Sequence, residues 1–325
     1  MRDSVLAIGG ATWDVLFTTP EAKLLGDKRS SQRLLAFPYG SKVDAHGVSY
    51  GFGGGAANVA VALARLGVKT GIATRVGGDW RGQEVIKNLR AHKVATSLVQ
   101  LDSTQTTPLA FIVTTGGAHD HVAFVSRGAS VNFSLPRVVP AAYSWVYLTS
   151  LATPRWQVEL RALFAHLKQS RSQVFWNPGI AQLAAGRKLK PLLQYVSILD
   201  LNHEEAQVLA RDMRLTYTNI GSLLRSLQAL GPRAVLITDG ANGAYYYDGE
   251  QVLHCPALKV KPVNTTGAGD AFGAGFLAGY LHSRGDVRVA LDWGMYSSSS
   301  VITHVGAQRG LLTRAKLNAF SKRHV

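Results

Sequence analysis

Asn264-Thr265-Thr266-Gly267-Ala268-Gly269-Asp270-Ala271-Phe272-Gly273-Ala274-Gly275-Phe276-Leu277 decides how the rest of the chain is read. Small and hydroxylated residues come first, then two glycines and an aspartate, then small and apolar residues at helical spacing. The stretch therefore reads as a loop entering a helix. Gly267 and Gly269 remove side-chain bulk, so with Ala268 between them consecutive backbone N–H groups can face an anion at the helix's positive end. Asp270 stands where this cradle meets the first helical turn, and the helix dipole there favours its ionised form by roughly 0.3–1 kcal/mol. An ionised carboxylate beside a phosphate cradle can accept the proton of a substrate hydroxyl during phosphoryl transfer. The same residues also read as an N-capping aspartate after a glycine turn, and the loop alone leaves both readings open.

The composition suits a chain that can surround such a loop with a full core. At 325 residues and 46% apolar content it is expected to form one large α/β domain. The apolar run at residues 5–8 is too short for a signal-peptide core and no stretch approaches the length of a membrane span, so a cytoplasmic location with no membrane partner is expected. A single cysteine, Cys255, excludes an internal disulfide framework and a multi-cysteine metal site; it reads as a small buried apolar residue. The formal charge of +15 and pI near 10.1 invite a nucleic-acid reading. Basic residues are nevertheless spread along the chain, with no RNA-binding or helix-turn-helix signature, so nucleic acid is not an expected partner. The same charge would draw in polyanionic substrates such as nucleotides. The acid-free end, residues 309–325, reads as a solvated terminal helix.

Along the chain, Val5-Leu6-Ala7-Ile8-Gly9 reads as a parallel strand buried on both faces. Asp14 follows beyond the strand's end, in the loop region where open α/β sheets collect ligands; a turn residue is the alternative. Residues 15–52 and 106–133 lack helical periodicity and alternate in places, so they are expected to build a small separate sheet, a lid that keeps water from the reaction. Gly53-Gly54-Gly55-Ala56-Ala57-Asn58 opens a helix that Gly67 stops; the glycines let a ligand touch bare backbone, and Asn58 offers both a donor and an acceptor. A flexible joint with a helix cap is the other reading. A βα rhythm follows, with strands expected at 71–76, 145–149, 174–177, 196–199 and 234–238 and helices at 82–92, 155–169, 204–211, 220–230 and 270–281. That alternation argues for a mostly parallel, doubly wound sheet with helices on both faces, in a single domain spanning 1–325.

The two glycine motifs, 53–60 with Gly67 and Gly77 and then 264–270, together resemble the two signatures of the ribokinase-like PfkB carbohydrate kinase family over essentially the whole chain. The resemblance implies transfer of the γ-phosphoryl group of ATP, with magnesium, to a hydroxyl of a sugar, sugar phosphate or nucleoside. It implies Asp270 as general base and the backbone of Gly267, Ala268 and Gly269 as anion hole. Asp14, Gly53, Gly54, Gly55 and Asn58 would hold the acceptor. Asn202-His203-Glu204-Glu205 looks like the family's Asn-x-x-Glu motif, which puts Asn202 near the phosphates and Glu205 near magnesium through water. Thr238, Gly240 and Gly243 look like the nucleotide loop, and Ala307 falls on the wall of the adenine pocket. The lid of such enzymes often forms a homodimer interface. The sequence also departs from the pattern. Asn264 stands where an aspartate commonly helps hold a monovalent cation such as potassium, and can still offer a carbonyl. Gly55 replaces the lysine of ribokinases proper, and Leu151-Ala152-Thr153-Pro154 lacks their glutamate, which argues against free ribose. Arg127 ends a lid strand, where it could clamp a substrate phosphate or point to solvent. Phe17, Phe52 and Phe111 could line a wall for a nucleobase or belong to the core. A nucleoside kinase of adenosine type and a non-catalytic nucleotide- or sugar-sensing protein stand as the alternatives.

Overall fold

The computed structural model describes residues 3–26, 33–114 and 121–324. Its elements, in chain order, are β1 (Ser4–Ile8), β2 (Thr12–Thr18), β3 (Lys23–Gly26), β4 (Arg33–Ala36), β5 (His46–Gly53), α1 (Gly55–Arg65), β6 (Lys69–Gly77), α2 (Trp80–Ala91), β7 (Ala95–Asp102), β8 (Leu109–Thr114), β9 (His121–Ser126), β10 (Trp145–Leu148), α3 (Trp156–Ser170), β11 (Gln173–Trp176), α4 (Ile180–Leu183), α5 (Lys190–Leu193), β12 (Ile198–Asn202), α6 (His203–Met213), α7 (Ile220–Gln228), β13 (Ala234–Thr238), β14 (Ala244–Tyr247), β15 (Val252–Cys255), α8 (Ala268–His282), α9 (Val287–Val301) and α10 (Arg314–His324).

Among the described residues, nine strands form the main sheet in the order β15-β14-β13-β12-β11-β10-β1-β6-β7. Strand alternation divides its core in two. Val5 and Ala7 of β1 pack with α1, α8 and α9, whereas Leu6 and Ile8 face the cluster built on α3, α6 and α7. This is the doubly wound sheet with both faces covered. The sheet is mostly parallel as expected; at one edge β14 and β15 run antiparallel, turned by Asp248-Gly249, a hairpin signal between alternating residues. β12 extends to Asn202, past the expected end at 199, so Asn202 both closes a strand and caps α6.

The second sheet has the order β5-β2-β8-β9. β2 pairs antiparallel with β5 and parallel with β8, and β8 pairs antiparallel with β9. Its strands come from the two segments expected to be non-helical, of which residues 27–32 and 115–120 lie outside the described residues. Asp14 is the main correction: it lies inside β2, 4% exposed, and not in a loop. Its strand starts four residues after Ile8, so the run that looked like a connector is already sheet.

α8 owes its place to its glycines. A Cβ on Gly273 would strike the Tyr147 hydroxyl, and one on Gly275 or Gly279 would meet α9 at 2.5 or 2.9 Å. Each glycine costs about 1 kcal/mol of helix propensity, which close packing on both sides offsets.

Candidate active site

β1 and β10 are parallel neighbours, and the strand order reverses between them. In open α/β sheets the crevice beyond such a switch point takes the ligand. Gly9 and Thr149, the residues just past these strands, meet there; a Cβ on Gly9 would strike Thr149 Oγ1. α1 and α8 both begin at this edge. A Cβ on Gly55 would lie 3.1 Å from Thr149 Oγ1 and 3.3 Å from Asp270 Oδ1. One turn on, Asn58 Nδ2 donates to Asp270 Oδ2 at 2.8 Å. Gly53 passes so close to the Asp14 carboxylate that any side chain there would displace it, and Gly54, at φ 86°, presses on Gly10 and Ala11. The two glycine motifs, 212 residues apart at their hydrogen-bonded pair, thus share one crevice.

Gly267 caps α8 at φ 79°, and a Cβ on it would come within 2.6 Å of Ala307 Cβ. Turn and close approach both demand glycine. Ala307 therefore backs the cradle itself. Gly269 differs: nothing lies within 4 Å of a Cβ built on it. The first-turn amides of α8 lack intrahelical acceptors, and Thr266 Oγ1 is buried without a hydrogen-bond partner among the described residues. Ala268 N donates to Thr265 O at 3.2 Å, while the open glycine, the remaining first-turn N–H groups and an unpaired buried hydroxyl suit an anion. Asn264 is buried, and its Oδ1 accepts from Thr266 N at 3.1 Å, so the carbonyl expected to face a cation already has a protein donor.

Among the described residues, four carboxyl groups near this edge hold their protons above the ordinary carboxylate range. Burial pushes Asp270 up to about 6; the Asn58 bond opposes this and the Glu205 charge adds to it. The dipole expected to favour its ionised form is outweighed by desolvation. Burial likewise raises Asp14 to about 6, against the Thr12 hydroxyl that donates to it at 2.6 Å. Glu205 is raised by burial. Asp200, which the sequence reading passed over, is buried and lifted far above the ordinary carboxylate range by desolvation, then by the Glu205 and Asp270 charges, while a Tyr147 hydrogen bond opposes the rise. A signal for it existed. A lone carboxylate inside Ser197-Ile198-Leu199-Asp200-Leu201 is out of place in a strand covered on both faces.

The Asn-x-x-Glu segment and the glycine loop after β13 are held together. Asn202 and Thr238 are register partners at adjacent strand ends. Asn202 Oδ1 accepts from Glu205 N at 2.8 Å and Glu205 Oε2 accepts from Asn202 N at 2.9 Å, a reciprocal cap. His203 Nδ1 lies 3.0 Å from Asp239 Oδ1, clasping the two segments. Gly240 and Gly243 turn at φ 50° and 93°.

A model of the pfkB family of carbohydrate kinases matches residues 27–314. The chain belongs to that family. A ribokinase of Bacillus subtilis is 28% identical over 263 residues, 81% of this chain and 85% of that protein. In three dimensions the chain is similar to Arabidopsis thaliana ribokinase complexed with ribose and ATP, with a TM-score of 0.80 and 20% identity over 99% of both chains. It is similar as well to Burkholderia thailandensis nucleoside kinase complexed with inosine, with a TM-score of 0.79 and 19% identity over 98% of both. The fold is the ribokinase fold, and this pfkB kinase is a phosphotransferase acting on a hydroxyl group. No helix among the described residues is long and apolar enough to cross a membrane.

Two groups whose reading the sequence leaves open have these places in the structure. Arg127 is exposed just past the end of β9, and among the described residues no side-chain hydrogen bond or ion pair joins it to the other site residues. Strand alternation puts Phe17, Phe52 and Phe111 on the face of the small sheet that carries Trp13, opposite Asp14. Trp13 stacks edge-on to Phe52 at 5.3 Å and to Trp80 at 5.1 Å. Asp14 shares its own face with Leu16, Ala110 and Ile112, a buried aliphatic cluster.

Proposed function

We propose that this chain transfers the γ-phosphoryl group of ATP to a hydroxyl of a sugar or nucleoside, with Asp270 as general base and the backbone at Gly267, Ala268 and Gly269 as anion hole. One observation carries the reading: Asp270, in the first turn of α8, shares a crevice with Asn58 and Gly55 and directly follows Gly269, whose Cβ position meets nothing within 4 Å. Asp14 and Asn58, with the bare backbone at Gly53, Gly54 and Gly55, hold the acceptor's hydroxyls; Ala110 and Ile112 cover its apolar side. Asp270, at about 6, is mostly ionised at neutral pH yet basic enough to take the hydroxyl proton. The α8 amides stabilise charge gathering on the transferred group. Asn202, Thr238, Gly240, Gly243 and Ala307 bound the nucleotide side. Glu205 spends Oε2 on the cap, which leaves Oε1 to hold a water of a hydrated magnesium ion; bound there, the ion would supply charge neutralisation between the phosphates. The small sheet closes over the acceptor as a lid. Tyr50, Phe111 and Phe124, all exposed on its outer face, favour pairing of two lids in a homodimer.

ADP release measured against a panel of sugars, sugar phosphates and nucleosides is expected to find an acceptor. Asp270→Asn is expected to lower kcat roughly 100- to 10,000-fold with substrate binding retained. Undiminished turnover in that variant would sink the assignment.

A further inference from the structure

The Asp270 carboxylate is one end of a chain of three side-chain amides, so that four places in the fold are linked. Asn58 Nδ2, on α1, donates to Asp270 Oδ2 at 2.8 Å. Asn58 Oδ1 accepts from Gln308 Nε2 at 3.0 Å. Gln308 Oε1 in turn accepts from Asn88 Nδ2, on α2, at 3.0 Å. Asn58 is 4% exposed, and Gln308 and Asn88 are half-buried, so water does not readily replace these bonds.

The direction of the chain is dictated from its charged end. An ionised carboxylate only accepts, so Asn58 must turn its NH2 toward Asp270 and its oxygen away. That oxygen then requires a donor, and Gln308 supplies one only with its own NH2 facing Asn58. Reversing Gln308 would set two carbonyl oxygens against each other; the relief is a flip of Asn58, which would aim its oxygen at the Asp270 carboxylate. Gln308 directly follows Ala307, the residue packed on Gly267 at the anion cradle. One dipeptide therefore touches both halves of the chemistry.

We propose that Gln308 is a positioning residue for phosphoryl transfer: acting through Asn58, it holds the donor edge of that amide on Asp270 and ties the base's orientation to the segment that backs the anion cradle. The proposal rests on the reading of Asp270 as the base. The other groups bearing on Asp270 are Glu205 from α6, Asp200 from β12 and Tyr147 from β10. Glu205 and burial both oppose ionisation, so the Asn58 bond is what favours the charged form. Weakening it makes the base harder to ionise.

The test is a 13C NMR titration of the Asp270 side-chain carboxyl, run beside the pH profile of kcat/KM, in the wild-type protein, Gln308→Glu, Gln308→Met and Asn88→Met. Gln308→Glu presents only acceptors to Asn58 and is expected to raise the Asp270 midpoint by about one pH unit; Gln308→Met, which merely loses the donor, by about half a unit. Asn88→Met leaves the Asn58 contact in place and should shift it least, in the same direction. The acid limb of kcat/KM should move with the NMR midpoint while KM for ATP stays within about twofold. A residue that served only packing would lower Tm and leave both midpoints alone. An Asp270 midpoint unmoved in all folded variants overturns the proposal. Retained activity in Asp270→Asn would instead remove the base assignment while leaving the titration result standing, so the two failures are distinguishable.

Discussion

Two glycine turns open two helices at the same edge of the sheet, and they use glycine for different reasons. Before α1 the glycines meet crowding: Gly53 from the Asp14 carboxylate and Gly54 from the backbone of Gly10 and Ala11, both closer than any Cβ tolerates, and Gly55 from a tight fit against the Thr149 and Asp270 side chains. Before α8, Gly267 is demanded by its φ and by Ala307, but Gly269 looks out on open space. On the proposed reading the first turn is a finished wall, packed by the protein itself, that fixes the acceptor-side groups. The second, on the same reading, is a cradle whose open side at Gly269 faces the phosphate. Glycine content alone cannot tell these apart; what stands opposite the missing Cβ does.

The largest effect expected from that contrast is Gly54→Ala. It imposes a positive φ on a side-chain-bearing residue and drives a Cβ to 2.6 Å from Gly10 O, a backbone atom with no room to retreat. A loss of roughly 3 kcal/mol or more in a urea unfolding midpoint is expected, with activity lost alongside. Gly269→Ala should behave oppositely. Its Cβ meets nothing in the protein, so stability should stay within about 0.5 kcal/mol, while kcat/KM for ATP falls roughly 10- to 100-fold because the methyl occupies space meant for the anion. If both variants lose stability equally, the distinction between wall and cradle is wrong. If Gly269→Ala keeps full activity, the phosphate is held elsewhere.

The same contrast explains what could be read in advance. Both turns were legible because glycine before a small-residue helix is a local pattern, and the β1, β13, α1 and α8 runs follow from apolar periodicity. The hairpin of β14 and β15 had a local mark too, Asp248-Gly249, and went unread beside the stronger βα rhythm. Asp14 reads as a loop residue because β2 begins only four residues after β1, and its apolar run, Val15-Leu16-Phe17, is too short to announce a strand that reaches back to Thr12. Asn202 and Thr238 become neighbours only through strand register. Gln308 and Asn88 were out of reach altogether: each meets its partner across 220 residues or more, and nothing local distinguishes a glutamine aimed at a buried amide from one aimed at water.

The smallest effect is the most diagnostic of how the wall was made. Asp14 sits against Gly53 with its proton held more tightly than in the unfolded chain, about 6 against 3.8, because burial disfavours its charge. Between those two values the folded state binds the extra proton, so its contribution to stability falls as pH climbs through that window and is flat above it. At pH 8 the buried charge costs on the order of 3 kcal/mol. Asp14→Asn removes the charge but leaves a polar amide in the same place, still able to accept from Thr12, so only part of that cost returns. A gain of about 1 kcal/mol at pH 8 is expected, shrinking toward zero near pH 4, together with a rise in KM for the acceptor and an unchanged KM for ATP. Chemical denaturation at the two pH values checks it. A variant less stable than wild type at pH 8 would mean that the carboxylate is held by favourable contacts rather than kept at a cost, and that the acceptor-side wall is not strained for binding.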